Sequence, residues 1–250
     1  HQHHNVDVII VGGGLSGLLA ARKFAGTNYD VLLVEREGAL GGVIKNANKI
    51  KSINDQPADE WLEKTERLIR NSNNIKILKN TLVTTYNFSD HLIALEDKNV
   101  GKPQDNEKPE LVLHKIRTKH TILANGHIER FITFRNNDLP GVMLAASFEK
   151  YLNRYGVVPD ESPIIFTNNS STFSLLKSLT DLGHKPKAYV DIRDQKNIEK
   201  QTLELLEKFN IPFYPKSEIE GCDGQKEVKK VSIRTKKNQI TKIKTSMLCV

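Results

Sequence analysis

The chain reads as an α/β protein built on a doubly wound parallel sheet, and three observations predict this. Two strand–loop–helix–strand units recur about 155 residues apart. The first carries a glycine-rich loop at its strand-to-helix turn, and its strands are short continuous apolar runs of the kind buried on both faces. At 250 residues, 38% hydrophobic and 27% charged, the chain is long enough for one or two domains with real cores, which excludes collagen-like, coiled-coil and wholly disordered proteins.

Taken in order, Val6 to Val11 reads as a buried strand, Gly12-Gly13-Gly14-Leu15-Ser16-Gly17 turns the chain, and Leu18 to Phe24 continues as a helix. A second strand, Val31 to Val34, ends in Glu35. A polar stretch with Gly41-Gly42 leads to a helix near Pro57 to Asn71, with Asp55 as its candidate cap. Strands follow at Ile75 to Leu78, Thr81 to Phe88, His91 to Glu96 and Leu111 to Thr118, the turn-rich 98–109 serving as a hairpin connection. Ile122 to Ala124 is a further buried strand that runs into Asn125-Gly126-His127. A helix from Leu144 to Tyr155 opens the second unit: strand Pro163 to Phe166, loop Thr167 to Ser171, helix Thr172 to Leu182 and strand Lys187 to Asp191. Val228, Val231 and Ile233 mark strands with solvated outer faces, and the apolar Ser246 to Val250 reads as a strand in which the chain stops. The expected domains are 1–143, with an inserted β segment, and 144–250, read as truncated.

Charge and cysteine usage narrow the function classes. The net charge is +7, with 20 basic and 18 acidic residues up to position 150 and 17 against 12 beyond it. The excess comes partly from Lys226, Lys229, Lys230, Lys236, Lys237, Lys242 and Lys244, where acidic residues interrupt and no aromatics interleave, so a solvated lysine face is favoured over a nucleic-acid site. No apolar run approaches the ~18 residues of a membrane span, and no secretory pattern opens the chain, which places the expected location in the cytoplasm. Cys222 and Cys249 form no Cys-x-x-Cys pair, leaving no material for a zinc site or a redox disulfide. No Ser-His-Asp, Cys-His or paired-carboxylate pattern stands out, and no catalytic residue is assigned. His1, His3 and His4 read as a polar linker rather than a metal site, His127 and Glu129 as loop-positioning residues, and Trp61 as packing.

The chemistry lies in the first loop. Gly12, Gly14 and Gly17 follow a strand, open a helix, and precede the acidic Glu35 at a second strand end, which is the full context of a dinucleotide fingerprint. The first glycine permits the tight turn, the second lets backbone approach a pyrophosphate, and the third lets helix and sheet pack closely. The helix N-terminus supplies unpaired N–H groups and positive dipole to the phosphates. Glu35 can accept both ribose hydroxyls, and Arg36 beside it leaves a 2′-phosphate open. FAD and NAD both use such a loop. Gly41-Gly42, and Ala124 running into Gly126, resemble the Rossmann-like, two-dinucleotide-binding flavoproteins, which would favour FAD. In the second unit Thr167, Asn169 and Thr172 stand where the glycines would, although Asp191 keeps the acidic position. That unit reads as a degenerate Rossmann-like copy, with ligand binding left open.

Longer runs make a resemblance specific. Gly126-His127-Ile128-Glu129-Arg130, Phe134 to Leu144 (with Asn136-Asn137-Asp138-Leu139-Pro140-Gly141-Val142-Met143), Tyr151 to Pro159 and Phe166-Thr167-Asn168-Asn169 together resemble the alpha subunit of heterotetrameric sarcosine oxidase. The resemblance runs over essentially the whole chain, His3-His4 included. It implies an oxidoreductase acting on the CH–NH group of sarcosine, yielding glycine and hydrogen peroxide and passing the one-carbon unit to tetrahydrofolate. FAD and FMN would sit in the beta subunit or its interface, gamma and delta subunits would complete the complex, and NAD would occupy the first unit of this chain. The implied NAD contacts are Gly12, Gly14, Ser16 and Gly17, then Glu35, Arg36 and Glu37, then Val43 after the diglycine, with Val83 near the adenine; Gly42, Ala124 and Gly126 join the candidate cofactor site through the flavoprotein-like diglycine and return strand. Rival readings are an FAD-dependent amine or opine dehydrogenase subunit, an NAD(P)H-dependent flavin reductase, and a non-catalytic assembly subunit stabilised by nucleotide.

Overall fold

The computed structural model describes residues 1–46, 50–87, 90–100, 110–158 and 160–250, so most of the expected 98–109 connection, and Phe88 of the expected strand, lie outside the described residues. The chain divides into two units, His1–Lys45 with Ile50–His127, and Ile128–Val250 joined by Asn46. The division falls after His127 and not at 143, because Val142–Met143 is itself a strand of the second unit's sheet.

The first part of the chain runs β1 (Gln2–Val11), α1 (Leu15–Phe24), β2 (Val31–Val34), α2 (Val43–Asn46), β3 (Ser52–Ile53), β4 (Gln56–Pro57), α3 (Ala58–Arg70), β5 (Ile75–Leu78), β6 (Thr81–Asn87), β7 (His91–Asp97) and β8 (Leu111–Leu123). Its main sheet has the order β5-β2-β1-β8-β7-β6. The first four of these pair in parallel, and β8, β7 and β6 form an antiparallel meander. The apolar runs of β1 and β2 are buried on both faces. Val8, Ile10 and Leu33 pack with Leu18 and Ala21 of α1 and with Trp61, Leu62 and Ile69 of α3. Ile9, Leu32 and Val34 pack on the other face with Leu78, Leu92, Ala94 and Ile116.

Three local expectations change. β1 begins at Gln2, so His3 and His4 belong to a strand and not to a linker; the first half of β8 offers them a partner, with Gln2 to Val6 in register with His114 to Thr118. The two strands expected at 111–118 and 122–124 are one continuous strand, because β8 spans from the meander to β1. Asp55 does not cap α3: it sits in the β3–β4 turn at φ 61°, and Pro57 is the N-cap, without a side-chain bond.

The second unit contains β9 (Val142–Met143), α4 (Ala145–Tyr155), β10 (Ile164–Thr167), α5 (Phe173–Asp181), β11 (Ala188–Asp191), α6 (Lys200–Lys208), β12 (Phe213–Pro215), β13 (Glu218–Asp223), β14 (Lys230–Arg234), β15 (Ile240–Lys244) and β16 (Leu248–Cys249). Its parallel sheet has the order β12-β11-β10-β16-β9, and β13, β14 and β15 form a separate antiparallel sheet. The apolar segment at the end of the chain is a central strand, Leu248 and Cys249 pairing with both β10 and β9. Ile165, Leu175, Leu179, Tyr189 and Leu206 fill one face of the parallel sheet, and Phe166, Val190, Val231, Ile233 and Leu248 fill the other. Both cysteines are free and buried; burial pushes the Cys222 thiol up to about 11 and the Cys249 thiol upward as well, so neither is a ready nucleophile. Among the described residues no helix is long and apolar enough to cross a membrane.

Candidate dinucleotide site

The order β5-β2-β1-β8 reverses direction between β1 and β8: the chain leaves β1 toward β2 and later returns on the other side. In open parallel sheets, the crevice outside the carboxyl ends of the strands flanking such a reversal is where ligands bind. Gly12 follows β1 there, and Ala124 follows β8.

The glycines at this point answer to specific distances. Gly12 takes φ 105°, and a Cβ on it would lie 2.4 Å from the Ala124 carbonyl oxygen. A Cβ on Gly17 would lie 1.8 Å from the Gly12 carbonyl oxygen, so only glycine lets α1 start this close to β1. Gly14 differs. It is the N-cap of α1 at φ −75°, and the nearest atom to a Cβ there is the Gly42 Cα at 4.0 Å. Its missing side chain leaves open space at the helix N-terminus, where a pyrophosphate is held by backbone N–H groups and the helix dipole. Ser16 is exposed on the first turn of α1.

Glu35, only 9% exposed, turns its carboxylate back onto this loop. Oε2 accepts from the Gly13 N–H at 2.5 Å and Oε1 from the Glu37 N–H at 2.8 Å. A carboxylate offers about four lone-pair positions, so two remain for ribose hydroxyls. The Arg36 side chain is 65% exposed, 3.6 Å from the Glu37 carboxylate. Beside them the Glu37 carbonyl accepts from the Asn80 N–H and the Glu35 carbonyl from the Thr81 N–H, which fixes the start of β6 against the end of β2. Burial, together with the Arg70 charge, holds the Lys79 ammonium below its ordinary value near Glu35.

The second diglycine closes the loop from the other side. The Gly41 N–H donates to the Gly13 carbonyl at 2.8 Å, and a Cβ on Gly42 would lie 3.0 Å from the Gly14 Cα. Val43 follows, 40% exposed at the start of α2. The Ala124 N–H donates to the Val11 carbonyl at 2.8 Å, and Gly126 takes φ 71° with open space around it. The structure therefore brings Gly12, Gly14, Gly17, Glu35, Gly42 and Ala124 into one neighbourhood. Val83 is a half-buried residue of β6 packed against the cluster of Ile9, Val11 and Val34, from the two strands that end at this loop. Gly13 and Leu40 were not singled out from the sequence; Gly13 both donates to Glu35 and accepts from Gly41, and its Cβ would lie 2.4 Å from Leu40.

Comparison with known proteins agrees with this geometry. Residues 10–63 match the model of the NAD(P)-binding Rossmann-like domain. The alpha subunit of sarcosine oxidase from Corynebacterium sp. (strain P-1) is 32% identical over 186 residues, which is 73% of this chain and 19% of that protein. The corresponding subunit from Rhizobium meliloti (strain 1021) is 31% identical over 195 residues, 77% of this chain and 20% of that protein. By sequence, the chain is similar over about three quarters of its length to alpha subunits of sarcosine oxidase. It spans about a fifth of the length of these relatives. Among solved structures, an L-proline dehydrogenase from P. horikoshii matches with a TM-score of 0.62 at 21% identity, over 99% of this chain and 42% of that one. A thioredoxin reductase from T. acidophilum matches with a TM-score of 0.70 at 15% identity, over 98% of this chain and 76% of that one. These two share the Rossmann-like α/β fold of this chain.

Of two further expected positions, Glu129 takes a definite role. Glu129 Oε2 accepts from the Ala146 N–H at 2.8 Å, so its carboxylate caps the first turn of α4 and positions that helix. His127 is exposed at the end of the first unit. In the second unit, α5 begins after Thr172, two residues later relative to the end of its strand than α1 does, so its loop is longer than the glycine loop it was matched to.

Proposed function

We propose that this chain is the NAD-binding portion of a sarcosine oxidase alpha subunit, working with beta, gamma and delta subunits in the oxidative demethylation of sarcosine to glycine. In that reaction the N-methyl group is oxidised, hydrogen peroxide is released and the one-carbon unit passes to tetrahydrofolate, while FAD and FMN belong to the partner subunit or its interface. The observation that carries the reading is the buried Glu35 carboxylate, tied to the Gly13 N–H beside the open Gly14 position, in a chain that matches two named alpha subunits over about three quarters of its length. The residues fit a dinucleotide: Gly14 and the α1 N-terminus would hold the pyrophosphate, Glu35 the adenosine ribose, and Gly42 and Ala124 the walls of the crevice. NAD, when bound, supplies a nicotinamide able to exchange hydride. This chain's own contribution is to bind and orient it, Glu35 selecting for a free 2′-hydroxyl because a carboxylate repels a phosphate there.

The competing assignment, FAD in the same crevice, is favoured by two features, the Gly41-Gly42 turn packed on Gly13 and Gly14 and the return strand running through Ala124 into Gly126, which resemble the flavoprotein arrangement. Mass spectrometry of nucleotide released from the purified protein separates the two. NAD is expected; recovery of FAD, or of no nucleotide, overturns the assignment. Supplying sarcosine to the complete complex then shows whether bound NAD is reduced or serves only to hold the fold.

A further inference from the structure

The second unit repeats the topology of the first. Its sheet reverses between β10 and β16, and the loop from Thr167 to Thr172 lies at the carboxyl end of β10, where a second dinucleotide would be sought. Several groups that would serve such a ligand are engaged by the protein itself. Asp191, at the end of β11 and fully buried, holds Arg193 through three contacts: the Arg193 backbone N–H at 2.8 Å and Nε at 3.1 Å on Oδ1, and Nη2 at 2.9 Å on Oδ2. The same guanidinium donates from Nη1 to Ser170 Oγ at 3.1 Å and to the Asn197 carbonyl at 3.4 Å, and lies 3.7 Å from the Glu199 carboxylate, which itself accepts from Ser170. Two of the loop N–H groups are occupied as well. That of Asn169 donates to Thr167 Oγ1 at 3.2 Å and that of Ser171 to Asn169 Oδ1 at 2.7 Å. The Thr172 hydroxyl is bonded to the Tyr189 hydroxyl at 2.8 Å in the interior.

The contrast with the first unit decides the reading. Glu35 holds backbone N–H groups alone among the described residues, keeps lone pairs for a ribose, and faces a glycine loop with room for phosphate. Asp191 is neutralised by a planar cation that fills the ribose position, and hydroxyl and amide side chains stand where phosphate oxygens would bond. We infer that Arg193 acts as the internal ligand of the second unit, closing it to dinucleotides, so that the chain holds one dinucleotide and holds it in the first unit. The inference stands whether the first unit holds NAD or FAD.

Hydrogen exchange of the full-length protein, measured with millimolar NADH, NADPH or FAD, reads the two units separately. Exchange at residues 167–172 and 188–193 is expected to be the same with and without each compound, and native mass spectrometry is expected to count a single dinucleotide per chain. Saturable protection of residues 167–193 by any of the three, or a second bound dinucleotide, overturns the inference. Protection at residues 12–17 and 35–37 tests the first unit alone, so failure of the proposed NAD site reads differently from failure of this one.

Discussion

Gly14 and Gly17 sit three residues apart and are glycine for different reasons, which makes them separable by experiment. A methyl on Gly17 would meet the Gly12 carbonyl oxygen at 1.8 Å, a backbone atom that cannot swing aside. Gly17→Ala should cost about 1–3 kcal/mol of stability, as overpacking does, and should lose the nucleotide too. A methyl on Gly14 meets nothing closer than 4.0 Å, and φ −75° suits any L-residue. Gly14→Ala should therefore leave the melting temperature of the nucleotide-free protein within a degree or so while removing the bound nucleotide, because the methyl enters the space meant for phosphate. Melting curves of stripped protein, paired with chromatography of released nucleotide, check both; a fall in stability for Gly14→Ala would mean the open space has been misread. These roles were legible before the structure because the spacing of Gly12, Gly14 and Gly17 carries its own geometry. The role of Gly13 was not. It has no place in the motif, and its bond to Glu35 arises only when β1 and β2 lie side by side.

Elements that owe their shape to distant partners were the hardest to read from the sequence. The helix α6 buries only Thr202 and Leu206 fully, too thin an apolar stripe to declare itself, and the early start of β1 depends on β8, more than a hundred residues away. That early half of β1 carries a device of its own. His4 Nε2 lies 2.9 Å from His114 Nδ1, and His114 Nε2 lies 3.0 Å from Glu96 Oε2. With Glu96 ionised, His114 donates to it and accepts from His4, leaving His4 Nδ1 as the atom that takes up a proton. Burial, the Lys76 ammonium and the His114 ring hold His4 below its ordinary 6.5 against the opposing pull of Glu96, with His3 adding slightly. The unfolded chain thus binds a proton first as pH falls, so the stability from this group is complete above about 6.5 and declines below it. His4→Gln keeps a donor for His114 and removes the titration; its melting temperature should fall less between pH 7 and pH 5 than that of the parent. Equal slopes would remove His4 from the account. In the second unit the matching test is Arg193→Ala, which strands the buried Asp191 carboxylate and should destabilise by roughly 3 kcal/mol, the low end for a broken buried pair because the guanidinium is partly exposed. Arg193→Lys should recover little, since an ammonium cannot span both carboxylate oxygens and Ser170.

At the scale of the molecule, each unit builds its own sheet and its own core, and a dinucleotide stabilises only the unit that binds it. A ligand bound to the native state alone adds RT ln(1 + [L]/Kd), about 2.7 kcal/mol at a hundredfold excess over Kd. Stripping the nucleotide should therefore raise hydrogen exchange through β1, α1 and β2, whose N–H groups line or support the crevice, with the change greatest at residues 12–17. Exchange through β10, α5 and β11 should not move, because Asp191 and Arg193 hold that loop without a ligand. Adding NAD back should restore protection to the first set alone, in proportion to the fraction bound. The comparison depends on differential binding and not on the general rigidity of either unit, so a loss of protection spread evenly over both would show that the nucleotide acts on the whole chain, and that Arg193 does not make the second unit self-sufficient.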